Sequence, residues 1–296
     1  MNVTKKWSWQ KVAPYLFVAP FILSFLVFSI YPLIQAIIMS FQQIHGFAHT
    51  EWIGFENYRR LLNDSRFYTA LWNVGRYTFW TLMILIPLPM VLSFMMNSKL
   101  TVFKNFFRSV YFLPVLTSSI IAGLVFNFAL SSEASGGFNQ FLAIFGIERV
   151  RWLERAPTAM FALVIIAVWR WLGVNMIYFL SGLQGISREL YESAEVDGAN
   201  SWKKFIYITV PMLKPITIFV ITISVTGGFS LFNEAFVFWG VTSPNDIGLT
   251  IVALIYRAAF TLGEFGYAAA IGVALFLIII IVNLIQLKIL GVFKEE

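Results

Sequence analysis

The chain has 296 residues, 59% of them hydrophobic and only 12% charged, with a mean hydropathy of +0.77, which excludes an ordinary soluble domain. It contains no cysteine, so disulfides, thiol nucleophiles and cysteine-ligated metals are excluded as well. The formal net charge of +6 is spread over loops and not gathered into an aromatic-interleaved patch; this argues against nucleic acid and for basic residues that set membrane topology.

A helix needs about 20 apolar residues to cross a bilayer. Six such stretches occur with no soluble-sized insert between them, so the expectation is a single all-α polytopic membrane domain over 1–296 with six transmembrane helices. Span one covers about 14–40 and holds Pro20 and Pro32. An external loop, 41–68, follows. It carries His45 and His49, whose intervening Gly46 and lack of further ligands favour plain loop residues over a metal site. Span two, about 67–97, should kink at Pro87 and Pro89. After a basic loop at 98–108 comes span three, about 110–130. A second external loop, 131–157, contains the run ERVRWLERAP, in which charges alternate with single apolar residues. Span four, about 158–183, includes Trp169, Arg170, Trp171 and Asn175. A polar stretch, 187–215, separates it from span five, about 216–239, which contains Thr226, Gly227, Gly228, Phe229 and Ser230, then Asn233 and Glu234. An amphipathic piece at 249–260 leads into span six, about 265–290.

Twelve basic residues (Lys5, Lys6, Lys11, Lys99, Lys104, Arg108, Arg188, Lys203, Lys204, Lys214, Lys288 and Lys294) fall on one side of these spans. Seven (Arg59, Arg60, Arg66, Arg149, Arg151, Arg155 and Arg257) fall on the other. The positive-inside rule then puts both termini and the 187–215 stretch in the cytoplasm. The first apolar stretch is of full span length with no small-residue cleavage site after it, so a cleavable signal peptide is not expected.

The polar stretch reads SRELYESAEVDGANSWKKFIYITVPMLKP. Ser187 suits an N-cap, 188–196 a short helix, and Gly198 the left-handed turn that ends it. A second amphipathic helix is expected from about Ser201, with Trp202, Phe205, Ile206 and Thr209 on one face and Pro211 and Pro215 as its stops. Glu192, Ala194, Asp197, Gly198, Ala199, Phe205, Ile208, Pro211 and Pro215 reproduce the spacing of the EAA loop of permease subunits in ATP-binding-cassette importers. The chain departs from that pattern by small swaps at Ser193 and Val210. The resemblance implies that Glu192, Ala194, Asp197, Gly198, Ala199 and Trp202 form a cytoplasmic coupling (EAA) helix between spans four and five, seated in a cleft of a separate ATPase subunit.

The likeness continues through APYLFVAPF, YFLPVLTSSIIAG, WRWLGVNMIYFLSGLQ and FGYAAAIG, which resemble maltose-type permeases of carbohydrate importers, and within them the arabino-oligosaccharide permeases of Gram-positive bacteria. One departure is GVTSP at Gly240 to Pro244, where relatives often have T-G-G-G-P. The resemblance implies import of a short oligosaccharide across a bacterial plasma membrane. Its implied partners are a second homologous permease subunit, two ATPase subunits that carry the ATP and Mg, membrane lipid, and an extracellular lipid-anchored sugar-binding protein for which 131–157 is a candidate docking surface. The chain itself is expected to bind no cofactor and to hold no catalytic residue, and no G-x-x-x-x-G-K-[ST] loop occurs in it.

Gly227 lies eleven residues from Ile216, ~17 Å into a ~30 Å core at about 1.5 Å per residue. A Gly-Gly pair there is costly as helix interior, so it marks either tight helix packing or a substrate opening. In maltose-type permeases the sugar-contacting positions align with Thr226, Gly227, Ser230, Trp171 and Asn175. On that resemblance Trp171 and Phe229 would stack on sugar faces, Asn175, Ser230 and Asn233 would hydrogen-bond, and Glu234 would face the pathway or pair with Arg170. Two alternatives stay open: an ion-coupled secondary sugar carrier, for which Arg170 and Glu234 are the only evident candidates for a proton or sodium path, and an importer permease for phosphoglycerol esters or another non-sugar solute.

Overall fold

The structure, a computed structural model, describes residues 9–45, 49–98 and 102–293. Lys5, Lys6, Lys99 and Lys294, and the side chains of Lys11, His45 and His49, lie outside the described residues. The chain runs through α1 (Trp9–Phe25), α2 (Tyr31–Ser40), β1 (Gln42–His45), β2 (His49–Trp52), α3 (Glu56–Asn63), α4 (Ser65–Leu85) and α5 (Pro87–Asn97). It continues with α6 (Lys104–Leu116), α7 (Ser119–Ala129), α8 (Gly137–Ile144), α9 (Ala156–Gln184), α10 (Arg188–Val196) and α11 (Ser201–Lys204). The last elements are α12 (Val210–Met212), α13 (Lys214–Phe229), α14 (Asn233–Trp239), α15 (Ile251–Tyr256) and α16 (Phe265–Ile289). Among the described residues five helical segments are long and apolar enough to cross a membrane, and six if α6 and α7 count as one broken span.

That break corrects the continuous span expected at 110–130: α6 and α7 meet at 94°. Pro114 cannot donate to the carbonyl one turn back, and the Thr117 hydroxyl donates to the Pro114 carbonyl at 2.6 Å, closing the first helix locally. Span five also breaks, at Ser230 to Phe232, two residues beyond the glycine pair, which itself is helical. Pro211, expected as a stop, is passed. A π turn over Phe205–Thr209 widens the helix just before it, so the ring and its missing N–H are absorbed and the helix runs on to Met212. Pro32 is handled the same way, after a π turn at Leu26–Ile30.

The chain forms two compact units. One takes the chain up to Asn63 together with Ala258–Ala274. Over Ala13–Ser40 its apolar residues are exposed or half-buried, as those of a membrane-length helix at a surface are. The expected external loop carries a small antiparallel hairpin, β1 with β2. Buried Asn57 stabilises it by donating from Nδ2 to the Ser40 and Gln42 carbonyls, both at 3.0 Å, while Phe41 packs against Trp52, Phe55 and Tyr58. Arg60 makes a two-pronged pair with Glu264 at 2.8 and 3.0 Å and lies over the Tyr267 ring.

The second unit takes Asp64–Arg257 and the chain from Leu275 onward. Helix α9 is its axis, packing against α4, α5, α6, α7, α13 and α14. Two apolar clusters lie along it: one around Met160, Leu163, Val164 and Phe238, the other around Phe179, Leu183, Phe205 and Leu213. The α9 residues between them, 167–178, belong to neither cluster apart from Ala167 and Val168 at one end and Tyr178 at the other.

Helix α6 approaches α9 through Gly173, where a Cβ would fall on the Tyr111 carbonyl. Main chain cannot swing aside as a side-chain tip does. Gly173→Ala is therefore expected to destabilise the unit by about 1–3 kcal/mol, as overpacking does, read as a lower thermal midpoint in detergent; an unchanged midpoint would refute this close approach.

Candidate functional site: an interhelical cavity and a surface knob

Between the two apolar clusters lies a cavity of about 430 Å³. Helix α4 contributes Tyr77, Thr81 and Leu85; α9 contributes Arg170, Trp171, Val174, Asn175 and Tyr178. The end of α13 and the start of α14 contribute Ser224, Gly227, Gly228, Ser230, Asn233 and Glu234. Beside aliphatic Leu85 and Val174, most of these are small, polar or aromatic groups that leave the space open. Arg170 donates from Nη1 to Glu234 Oε1 at 2.6 Å, with the two side chains 11% and 13% exposed. Asn233 donates to the Ser119 hydroxyl at 2.8 Å. Such a chamber offers ring faces and hydroxyls together, the chemistry that suits sugar C–H patches and hydroxyl edges.

The two glycines of span five do different things. A Cβ on Gly228 would fall on the side chain of Thr78 in α4, so this residue permits close helix packing. A Cβ on Gly227 would meet nothing within 4 Å. Gly227 opens onto the cavity.

The stretch 187–215 forms a knob built by local rules. Ser187 caps α10 by accepting from the Glu189 amide. At the other end Gly198 sits at φ +75°, its amide bonded to Glu195 O at 3.0 Å and the Ala199 amide to Ala194 O at 2.8 Å, the paired closure of a Schellman turn. Asn200 Oδ1 then accepts from the Lys203 amide at 2.9 Å and starts α11. Lys204 pairs with Glu195 at 2.6 Å, and Tyr191 shares a hydrogen bond with the buried Thr209 hydroxyl at 2.8 Å, tying the two helices together. Glu189, Glu192 and Glu195 recur every three residues along α10, and the pair with Lys204 engages the last of them. Trp202 stacks on Phe205, yet it is 63% exposed. Glu192, Asp197 and Gly198 are exposed too, while Ala194 and Ala199 are half-buried.

From α5 to the end of α16 the sequence matches one family profile, the binding-protein-dependent transport system inner membrane component, over residues 85–289. The chain belongs to this family. The matched region contains the knob and most of the cavity wall. This permease is 49% identical over 287 residues to the arabinooligosaccharides transport system permease protein AraP of Bacillus subtilis (strain 168), covering 97% of the chain and 91% of that protein. It is 33% identical over 276 residues to the lactose transport system permease protein LacF of Rhizobium radiobacter, covering 92% of each. Its fold matches a chain of a bacterial ABC transporter involved in the import of the acidic polysaccharide alginate with a TM-score of 0.84 at 23% identity, covering 97% and 99% of the two chains. The permease is thus a multi-pass membrane protein of transport subunits.

Of the residues expected along the pathway, Trp171, Asn175, Gly227, Ser230, Asn233 and Glu234 line the permease's cavity. Thr226 and Phe229 do not. Each residue turns the helix by about 100°, so with Gly227 facing the cavity Thr226 is carried toward α16, where its hydroxyl meets Asn283 at 3.3 Å. Phe229 is carried into the core, where it is buried. Asn175 lines the cavity but its amide is committed elsewhere: Nδ2 donates to Leu85 O at 2.9 Å. Pro89 has no N–H to give that carbonyl, so Asn175 supplies the missing donor. Sequence reasoning missed Tyr77, Thr81, Ser119, Tyr178 and Ser224. Only Tyr77 and Thr81, spaced i, i+4, carried a usable signal, a hydroxyl-bearing stripe on one helix face.

Outside the membrane-length helices, the 131–157 segment contains α8 and is organised by buried Asn139. Its Oδ1 accepts from the Val150 amide and Trp152 Nε1, both at 3.0 Å, and its Nδ2 lies within reach of the Ser131, Glu133 and Val150 carbonyls. The run ERVRWLERAP is a loop up to Arg155, tied to α8 through Val150 and Trp152.

Proposed function

We propose that the chain is one of two permease subunits of an ATP-driven importer for oligosaccharides, arabino-oligosaccharides first among them. The near-full-length likeness to an arabinooligosaccharides permease carries this reading. The cavity supplies aromatic faces at Trp171 and Tyr178 beside hydroxyl and amide groups at Ser230 and Asn233, which suits a sugar. A second homologous permease subunit completes the wall, and an extracellular lipid-anchored binding protein delivers the sugar to the surface that includes 131–157. Both termini and the knob lie in the cytoplasm. There Glu192, Ala194, Asp197, Gly198, Ala199 and Trp202 meet an ATPase subunit, one of two that bind ATP and Mg, and the permease holds no cofactor and performs no hydrolysis.

The test is reconstitution of the permease with its neighbouring permease, ATPase and binding-protein genes in proteoliposomes. Uptake of arabinotriose is expected to require ATP and the binding protein and to survive ionophores. Uptake that ignores ATP and collapses with the ion gradient would identify a secondary carrier instead. The permease purified alone is expected to hydrolyse neither ATP nor glycosides; hydrolysis of either would overturn its non-enzymatic assignment.

A further inference from the structure

Arg170 and Glu234 are the only charged groups lining the cavity among the described residues. They reach it from different helices, α9 and α14, and meet at 2.6 Å with about nine-tenths of each side chain out of water. The guanidinium also lies 5.5 Å from the Trp171 ring, beside the aromatic face offered to substrate. Its Nε is buried and has no hydrogen-bond partner among the described residues, where Glu234 is the carboxylate paired with this cation through Nη1.

A buried ion pair is a poor way to hold helices together, because apolar residues of the same volume are often as good or better. Nor does α14 depend on it for attachment. Asn233 bonds Ser119, Asn127 bonds the Val237 carbonyl, and Trp239 bonds the Leu153 carbonyl. The pair does, however, govern the charge of the chamber. With both members present the wall is neutral, and a carboxylate entering it would lose its hydration with no counter-charge in return. With one member removed the survivor becomes an uncompensated charge in a low-dielectric chamber, and it recruits an ion of opposite sign.

We propose that the Arg170–Glu234 pair is a charge filter: Glu234 holds the guanidinium neutralised and so keeps the route selective for uncharged sugars over those bearing a carboxylate or an amine. This rests on the sugar-importer reading above and adds a specificity rule to it.

The reconstituted full transporter tests it through arabinotriose uptake measured in the presence of glucose, glucuronate or glucosamine at equal concentration and matched ionic strength. In the wild type all three are expected to act alike. In Glu234→Gln, glucuronate is expected to inhibit at least about fivefold more than glucose, because it pairs with the exposed guanidinium. In Arg170→Gln the sensitivity should switch to glucosamine, and in the double variant both sensitivities should disappear. If one single variant fails to assemble, the other decides. Single variants that respond to the three competitors as the wild type does would overturn the filter while leaving the importer reading intact. Absence of arabinotriose uptake by the wild type would instead sink the importer reading, and the filter with it.

Discussion

Gly227→Leu is expected to cut sugar uptake at least about tenfold while leaving the transporter fully assembled. A Cβ at Gly227 meets nothing within 4 Å, so the new side chain has room to enter the cavity and removes a sizeable part of its 430 Å³. The backbone does not resist, since replacing glycine in a helix interior gains about 0.8 kcal/mol of helix propensity. The neighbouring Gly228→Leu provides the contrast. There the side chain is driven into Thr78, and the expected result is a misfolded or poorly assembled complex. Uptake per assembled complex and the amount of complex, measured separately, distinguish the two. Undiminished uptake by Gly227→Leu at normal membrane levels would move the pathway away from span five.

Gly198→Glu is expected to uncouple the permease from its ATPase. The position has φ +75° with open space around it, so the cost within the chain is backbone strain of about 1–3 kcal/mol, enough to disturb the turn between α10 and α11 without unfolding the membrane helices. The added carboxylate also joins a stretch that already holds exposed Glu192 and Asp197. Gly198→Asn separates geometry from charge, since asparagine tolerates the left-handed conformation. Asparagine should retain most of the sugar-stimulated ATP hydrolysis, whereas glutamate should lose it and lose ATPase co-purification. Normal assembly and transport by Gly198→Glu would refute the coupling role.

The knob was legible in the sequence because its architecture is local. Ser187 and Gly198 each act on backbone groups within a few residues, and residue type alone announces what they do; Asn200, which starts α11, acts in the same local way. The cavity was legible only in part. Trp171, Ser230, Asn233 and Glu234 stand out as polar or aromatic groups in apolar spans, and the pairing of Glu234 with Arg170 follows from the cost of burying either charge alone. Which side of α13 faces inward cannot be read from a helix that is apolar all round. That is why Thr226 and Phe229, on either side of Gly227 in sequence, were grouped with it although they point elsewhere. The role of Asn175 depends on a carbonyl ninety residues away that Pro89 leaves without a donor. The hairpin went unread because Asn57, which holds it, looks in sequence like any polar loop residue. The bend between α6 and α7, by contrast, had its signal in Pro114 and the Thr117-Ser118 pair, a stop followed by a start.

The π turn before Pro211 has a mechanical meaning. By carrying the helix past that proline it makes one stiff arm from Ser201 to Met212, joined to α13 at Leu213, which is fully buried beside Phe179, Leu180 and Leu183. Leu213 is therefore a fulcrum gripped by the core. Trp202 lies eleven residues before it and Gly227 fourteen after it, moment arms of about 16 and 21 Å at the rise of an α-helix. With those arms, a rigid tilt applied at the exposed tryptophan reaches the open glycine enlarged by about 1.3-fold, the ratio of the two lengths. On the coupling role proposed above, the displacement at the cavity would follow how far the ATPase moves, and a softer joint than Leu213 would waste it.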